Sequence, residues 1–273
     1  MPEIPDLEGY ASYLNRRLPG RKVERVQVYI PIPVRAGAQE LADTLEGKTI
    51  GEAGRIGKYL LFPFSDGAPF LVIHPMLTGR FQLAQPADKK PAKTIFALTL
   101  DGEELRYFDG RLMGKVYLAQ EDELAKKVPR WTEMGPDALD PSLTEEVFRK
   151  RLHAYRGQIK SVLTKEQFVA GIGNAYSDEI LFAAGIHPYR RRTDLSEEQE
   201  SCLYRAMHEV LAWATPIVKE RMEKDGLPRD HYRDHLRVHR KGGQPCPNCS
   251  NSISEITANQ RITDYCRHCQ PPY

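Results

Sequence analysis

The chain has 273 residues, of which 41% are hydrophobic and 28% charged, and its formal net charge is +2. This length allows two or three compact units, and the composition is that of a globular protein. No apolar run approaches the roughly 20 residues that a bilayer span needs, and the acidic start lacks a signal-peptide pattern. We therefore expect a cytoplasmic protein with no membrane partner, whose small net charge does not by itself indicate nucleic acid.

The first ten residues, MPEIPDLEGY, combine prolines and carboxylates ahead of a helical pattern. Apolar residues then recur at helical spacing: Leu7, Ala11, Leu14 and Leu18. Pro5 in a first turn and Asp6 near the positive end of the helix dipole are sufficient to start such a helix. Pro2 and Glu3 are not needed for that purpose and require another explanation.

From about residue 22 to residue 120, short β-rich runs such as RVQVYI, FLVIHPML and TIFALTL alternate with Gly, Pro and Asp. The proline-rich segment VPRWTEMGPDALDPS then precedes helical segments, and Ser196 with Gln199 matches a capping box before a long helix. We predict a multi-domain α+β fold. Its parts are a sheet-based domain at residues 1–130, a helical domain at 131–235 and a short cysteine-bearing tail at 236–273.

The tail contains two CxxC pairs, CPNC and CRHC, formed by Cys246, Cys249, Cys266 and Cys269. Two such pairs at this separation are typical of a tetrahedral zinc site. Disulfides are the alternative, but a cytoplasmic location argues against them. Because four thiolates leave no open coordination position, we expect one structural Zn²⁺ ion rather than a catalytic one. The fifth cysteine, Cys202, lies in a helical stretch and is expected to be a small core residue.

The segment VAGIGNAYSDEILFAAGIHP places Gly171 and Gly173 around an apolar residue, with Asn174 positioned to cap the helix that follows. Such a turn lets a phosphate approach the backbone at the helix N-terminus. The alternative is a turn between helices in which the glycines only relieve steric crowding. Basic runs such as RKRLHAYRGQIK, which includes Lys160, indicate either a solvated surface or contact with a polyanion.

A series of segments in matching order resembles the formamidopyrimidine-DNA glycosylase and endonuclease VIII family of base-excision repair enzymes. They are PEIPD, RIGKYLLF, HPMLTGRF, LRYFDGRLMG, MGPDAL, VAGIGNAYSDEILFAAGIHP and CPNC with QRITDYCRHCQ. The resemblance implies an N-terminal two-layer β-sandwich with a flanking helix, a helix-two-turn-helix DNA-binding domain and a four-cysteine zinc-finger β-hairpin. It also implies a nucleoid-associated monomer that binds damaged double-stranded DNA between its lobes.

The resemblance also explains the N-terminus. In this family the initiator Met is removed, and the proline behind it, here Pro2, attacks C1′ of the damaged nucleotide and forms a Schiff base. Strand cleavage by β,δ-elimination follows. An α-amino group titrates near 8, so about a tenth of it is neutral at pH 7. Glu3 is the implied general acid, and Lys58 completes the implied catalytic set.

Further residues correspond to family positions that contact DNA. His74, Asn174 and Arg261 match phosphate-binding positions, as does Lys58, and Lys160 is assigned to DNA with them. The alternative for Lys58 and His74 is a surface lysine and a histidine whose hydrogen bonds are satisfied within the fold.

This chain departs from the family pattern at several positions. Asp6 replaces a glutamate and is one methylene shorter. Leu77, Arg111 and Met113 occupy the positions where Met, Arg and Phe commonly fill the void left by a flipped base, so the guanidinium is kept while a flexible apolar side chain replaces the aromatic wedge. The segment between the long helix and the cysteines is shorter than the lesion-capping loop of the purine-specific branch.

We therefore expect a glycosylase with abasic-site lyase activity that excises oxidised or ring-opened bases. A paralogue that binds abasic, flipped or distorted DNA with little or no catalysis is the alternative, supported by the altered wedge. An unrelated zinc-ribbon transcription factor would explain the tail but not the N-terminus.

Overall fold

The computed structural model describes residues 1–258 and 261–272. The chain divides into two compact units: Met1–Thr132 with Val218–His231, and Glu133–Ile217 with Tyr232–Tyr273. Among the described residues, no helix has both the length and the apolar character needed to cross a membrane.

The helices are α1 (Ile4–Asn15), α2 (Ala38–Leu45), α3 (Leu124–Lys127), α4 (Glu145–Leu152), α5 (Ile159–Leu163), α6 (Asn174–Ala183) and α7 (Glu197–Asp225). The strands are β1 (Val23–Val28), β2 (Gly54–Ile56), β3 (Tyr59–Phe62), β4 (Phe70–His74), β5 (Gly79–Ala84), β6 (Thr94–Leu100), β7 (Glu103–Asp109), β8 (Lys115–Ala119), β9 (Ser254–Ala258) and β10 (Arg261–Tyr265).

The first unit contains two four-stranded antiparallel sheets, with strand orders β1-β6-β7-β5 and β2-β3-β4-β8. They confirm the sheet-based domain predicted from the β-rich runs and the β-sandwich that the family resemblance implied. Aromatic side chains fill much of its interior. The ring of Phe81 lies 5.4 Å from Tyr10, 6.1 Å from Phe62 and 5.3 Å from Tyr107, in tilted or edge-on geometries that favour aromatic pairing.

Helix α1 confirms the helix predicted at the N-terminus and begins at Ile4, with Pro in its first turn. Its packing depends on Gly9, because a Cβ there would lie 2.8 Å from the sulfur of Met222 in the last part of α7. Glu8 accepts from Arg55 at 2.9 Å and from Lys219 at 3.1 Å, so α1 is also held by charge pairs.

The second unit contains α4 to α6, most of α7 and the β9–β10 hairpin. The predicted capping box is confirmed, since Ser196 and Gln199 each accept the other's backbone N–H through a side-chain oxygen. Cys202 is half-buried on α7, and its sulfur lies 3.8 Å from the carbonyl oxygen of Ala184.

One local prediction was wrong. Gly173, not Asn174, is the N-cap of α6, and Asn174 is the first helical residue. Gly171 has a φ of 102°, a left-handed conformation that favours glycine and turns the chain into the helix. The Asn174 side chain is thereby available for a different partner, described below.

Candidate active site and metal centre

The predicted site residues form two groups, one in each unit. In the first unit, the N-terminal turn places Pro2, which is buried, directly before the N-cap of α1. That N-cap is Glu3, which is 2% exposed. The backbone N–H of Glu3 donates to Oδ2 of Asp6 at 2.9 Å, and the Glu3 carboxylate accepts from the backbone N–H of Asp6 in return. This capping box holds the peptide that joins Pro2 to Glu3.

Lys58 and His74 belong to the β2-β3-β4-β8 sheet and its turns, and the two side chains interact electrostatically. Lys58 sits in the turn between β2 and β3 and is 2% exposed. Nδ1 of His74 accepts the backbone N–H of Met76 at 3.0 Å, so Nε2 carries the proton in the neutral ring. Burial, with a smaller effect of the Lys58 ammonium, lowers the pKa of His74 to about 4. At neutral pH His74 is therefore an uncharged N–H donor.

Two loops hold the predicted wedge residues, and we call them the wedge loops: residues 75–78 and 110–114. Gly79, the first residue of β5, pairs with Asp109, the last residue of β7, so the two loops are neighbours. Leu77 and Met113 are each 36% exposed, so both apolar side chains reach the surface. Arg111 is also exposed.

A buried carboxylate joins the wedge loops. Oδ1 of Asp109 accepts from the hydroxyl of Thr78 and from the backbone N–H of Arg111, the latter at 3.0 Å. Oδ2 accepts from the backbone N–H of Gly114 at 2.6 Å. Asp109 is 0% exposed. A side chain at Gly114 would collide with the hydroxyl of Tyr107 below the loop, which explains the glycine there.

In the second unit, a polar cavity of about 340 Å³ brings together three of the residues predicted to bind DNA: Lys160, Asn174 and Arg261. Its other lining residues are Gln158, Ser161, Thr164, Tyr189, Ala258 and Thr263. The α6 N-terminus lies at this cavity through Asn174, so its walls combine cationic groups with a helix end that favours anions.

Lys160 and Asn174 also hold the zinc-finger strand next to Arg261. The Lys160 amine lies 2.6 Å from Oδ1 of Asp178 and donates to the Ile262 carbonyl and the Thr263 hydroxyl, both at 2.9 Å. Nδ2 of Asn174 donates to the same Ile262 carbonyl at 2.9 Å. Both side chains thus position the start of β10.

The acidic pair on α6 extends this network, and sequence analysis did not single it out. Glu179 accepts the backbone N–H groups of Arg237, Val238 and His239, each at 2.9 Å. Oδ2 of Asp178 lies 2.8 Å from Nδ1 of His239. Burial raises the pKa of Glu179, although the three N–H donors act in the opposite direction. The segment before the finger is therefore tied to α6 by its backbone.

The four tail cysteines fit a zinc ion. Their sulfur atoms all lie within 4.8 Å of one another, with Cys246 Sγ 3.8 Å from Cys269 Sγ and Cys249 Sγ 3.4 Å from Cys266 Sγ. Zn–S bonds of about 2.3 Å in a tetrahedron require sulfur separations of about 3.8 Å. Hydrogen bonds from Asn251 lower the pKa of Cys249 to about 6, whereas burial raises the pKa of Cys266 and of Cys269.

Family models cover the three parts of the chain. The formamidopyrimidine-DNA glycosylase N-terminal domain matches residues 1–116, the H2TH domain of the same enzymes matches residues 134–224, and the zinc finger found in FPG and IleRS matches residues 243–272. The formamidopyrimidine-DNA glycosylase of Desulforamulus reducens is 36% identical over 99% of both chains. The chain belongs to the formamidopyrimidine-DNA glycosylase family. It is a member of a family of DNA-repair enzymes with a zinc finger, as the resemblance implied.

Other relatives agree over nearly the full length. The formamidopyrimidine-DNA glycosylase of Moorella thermoacetica is 35% identical over 94% of each chain. Among solved structures, the Lactococcus lactis enzyme in complex with DNA containing an abasic site matches with a TM-score of 0.89 at 28% identity, covering 98% of this chain and 99% of that one. The same enzyme with DNA containing FAPY-dG matches with a TM-score of 0.86, at 28% identity over 98% of this chain and all of that one.

Sequence analysis missed four residues whose side chains support the predicted site residues. Thr78 and Asp109 lie inside quoted motifs, but nothing in the sequence shows that they bond to each other. Asp178 and Glu179 lie one helical turn after Asn174, and two consecutive carboxylates in a largely apolar helical segment were the available signal of a buried role.

Proposed function

We propose that this protein is a DNA glycosylase with abasic-site lyase activity that acts on damaged double-stranded DNA. The observation that carries the proposal is the N-terminal turn, where a buried Pro2 precedes a capping box that fixes the adjoining peptide. Membership of the glycosylase family supports it, as do the solved relatives bound to DNA with an abasic site or FAPY-dG.

The proposed chemistry starts after removal of Met1. The Pro2 nitrogen bonds to C1′ as the bond from C1′ to the base breaks. The C1′–O4′ bond then breaks as the Pro2 nitrogen forms a double bond to C1′. The N–H proton of Pro2 and one proton from the Glu3 carboxyl go to the departing base and to O4′, which leaves an iminium cation at C1′ and a Glu3 carboxylate. The cation acidifies the C2′ hydrogens, so loss of one expels the 3′ phosphate, and a second elimination expels the 5′ phosphate.

The phosphate contacts are assigned by donor chemistry. Lys58 supplies a cation and His74 a neutral Nε2–H beside the reaction centre, while Arg261 supplies the cation of the second-unit cavity. Phosphate contacts position the duplex and carry no base preference. We further propose one structural zinc ion per chain and a monomeric enzyme of the nucleoid.

The wedge loops support a lesion preference. Leu77 and Met113 fill volume but lack the broad π-face that stacks on a neighbouring base pair. Flipping costs a few kcal/mol of stacking and pairing, so we expect the enzyme to prefer weakly paired lesions: abasic sites, ring-opened purines and ring-saturated pyrimidines. Matched duplexes test this. Faster excision of 8-oxoguanine from cytosine pairs than of a ring-saturated pyrimidine would contradict it.

Borohydride trapping tests the mechanism. We expect the wild-type enzyme to form a covalent adduct on a duplex with an abasic site, and mass spectrometry should place the link at Pro2. Chemical acetylation of the N-terminus should abolish trapping, whereas Pro2→Gly keeps a primary amine and should retain part of it. An adduct mapped to a lysine would remove Pro2 from the mechanism.

Glu3→Gln separates binding from catalysis. This variant keeps the side-chain acceptor for the Asp6 N–H, so the turn should remain folded. It should bind abasic-analogue duplex with nearly normal affinity but fail to release a damaged base, because the amide cannot donate the proton. Equal loss of binding and base release would show that Glu3 is structural.

A further inference from the structure

A chain of side-chain contacts in the first unit runs from the N-terminal turn to β5. Oδ2 of Asp6 accepts the Glu3 N–H at 2.9 Å, and Oδ1 of Asp6 lies 3.3 Å from Nδ1 of His231. On the other side of the ring, Nε2 of His231 lies 2.9 Å from Nη2 of Arg80. The groups are all shielded: Asp6 is 0% exposed, Arg80 5%, and the His231 side chain 12%.

The direction of the hydrogen bonds fixes the tautomer of His231. A guanidinium has only donors, so Nε2 must accept from Arg80. Nδ1 then carries the proton and faces the Asp6 carboxylate. The guanidinium is itself held, because its Nη1 donates to the carbonyl of Gly79 at 2.7 Å. The His231 ring therefore links the backbone of β5, through Arg80, to the Asp6 carboxylate.

The bond that Asp6 makes to the backbone bears directly on the proline. The N–H that Asp6 accepts belongs to the peptide bond between Pro2 and Glu3. Fixing this N–H fixes the plane of that peptide, which contains the Cα of Pro2, and so limits where the Pro2 ring can lie. A capping box usually has Glu or Gln at this third helical position, and Asp is one methylene shorter. The shorter side chain has less reach, so a second contact that holds its other oxygen has more effect.

We propose that His231 is a positioning residue for the Pro2 reaction centre, acting with Arg80 to hold Asp6 against the peptide between Pro2 and Glu3. The inference rests on the proposed function. His231 lies in the short segment that follows α7, outside every motif by which the chain resembles its family. It does not touch the reacting atoms, so its effect must appear in the rate of the chemical step rather than in affinity for DNA.

The test uses single-turnover borohydride trapping by the full-length enzyme on a saturating abasic-site duplex. We expect His231→Ala to slow adduct formation at Pro2 about tenfold, since small misplacements of a nucleophile cost that much or more. Affinity for an uncleavable abasic-analogue duplex should change less than about twofold. His231→Gln can accept from Arg80 through its oxygen and donate to Asp6 through its amide, so it should stay within about threefold of wild type.

A double variant separates positioning from general structural support. In Asp6→Glu combined with His231→Ala, the longer carboxylate can reach the Glu3 N–H without help. We expect this pair to recover most of the rate lost in His231→Ala alone. If His231→Ala does not fold, the comparison of His231→Gln with the shorter His231→Asn replaces it, and only the shorter amide should be slow.

The outcomes distinguish this inference from the proposed function. No Pro2 adduct from the wild-type enzyme rejects both. A normal wild-type adduct with an equally fast His231→Ala, or with His231→Gln as slow as His231→Asn, rejects the positioning role alone. Loss of DNA affinity in parallel with the rate, without rescue by Asp6→Glu, also rejects it and makes His231 a structural residue.

Discussion

The hydroxyl of Thr78 donates to the buried carboxylate of Asp109 and joins the two wedge loops. The same carboxylate accepts the backbone N–H groups of Arg111 and Gly114, so it holds both ends of the second loop as well. The wedge side chains are exposed, yet the polar group beneath them is 0% exposed. The hydrogen bonds to Asp109 fix the backbone of the two wedge loops. The exposed side chains of Leu77 and Met113 are therefore carried on a rigid backbone although neither contains an aromatic ring.

Removing the Thr78 hydroxyl should therefore weaken action on duplex DNA. We expect Thr78→Val to lower base excision from a duplex about fivefold, the value of one net hydrogen bond of about 1 kcal/mol. Thr78→Ser keeps the hydroxyl and is the matched control. Excision rates on duplex and single-stranded oligonucleotides measure the effect. A loss as large for Thr78→Ser as for Thr78→Val would contradict a role for the hydroxyl.

Arg111 should matter most when a partner base is present. Its guanidinium is exposed at the tip of a wedge loop and can donate two hydrogen bonds to an orphaned base. We expect Arg111→Ala to reduce activity on duplex substrate more than on the same lesion in a single strand. Only the duplex has a partner base that loses its pair when the lesion is flipped out. An equal reduction on both substrates would show that Arg111 contacts the lesion strand instead.

The buried neutral state of His74 predicts a pH dependence of stability. In the unfolded chain His74 titrates near 6.5, whereas in the folded protein its pKa is about 4. Between these values the unfolded state binds more protons, so the free energy of unfolding should fall as the pH drops from 6.5 to 4. The contribution is about 3 kcal/mol over this range. This loss of stability is absent above pH 6.5 and complete below pH 4.

His74→Asn keeps an acceptor for the Met76 N–H but removes this titration. The difference in unfolding free energy between wild type and His74→Asn should therefore shrink as the pH is lowered through the window. Urea unfolding of the zinc-loaded proteins at several pH values measures it. A difference that does not change with pH would show that His74 is not the titrating group.

The salt dependence of DNA affinity should distinguish the role of Lys160 from that of Arg261. The Lys160 amine donates to Ile262 and Thr263 and forms an ion pair with Asp178. Arg261 is exposed and lines the polar cavity. In a plot of log affinity against log salt for abasic-analogue duplex, Arg261→Ala should reduce the slope by about 1. Lys160→Met should leave the slope unchanged and weaken binding by displacing β10. A reduced slope for Lys160→Met would make it a direct phosphate ligand.

Removing zinc should unfold the finger and weaken DNA binding together. Metal binding and folding are one equilibrium in so small a unit. We expect elemental analysis to give one zinc per chain, and Cys266→Ser to lose both the zinc and most of the affinity for abasic-analogue duplex. Cys202→Ser is the matched control and should keep both. Protein purified without chelator that contains no zinc would contradict the assignment.

Local patterns were sufficient for much of this protein. The CxxC spacing predicted the four sulfur atoms that meet, the β-rich runs predicted a sheet-based domain, and the family resemblance implied the sandwich. The capping box at Ser196 and Gln199 was also predicted correctly. The capping-box contacts join near neighbours in the chain, and each CxxC pair is recognised by its own short spacing although the two pairs meet across 17 and 23 residues. Asn174 shows the limit: the choice of N-cap between Gly173 and Asn174 depended on a strand far away in sequence.

The sequence by itself determined the family, the metal ligands and the order of the elements, because these depend on residue types at short, regular spacing. Only the tertiary structure decided that Thr78 meets Asp109, that Lys160 meets Asp178, and that His231 meets Asp6. Each of these pairs depends on strand register or on helix packing that brings distant segments together. A buried polar group must find its partner wherever the fold supplies one, since leaving it unpaired costs more than the bond itself contributes.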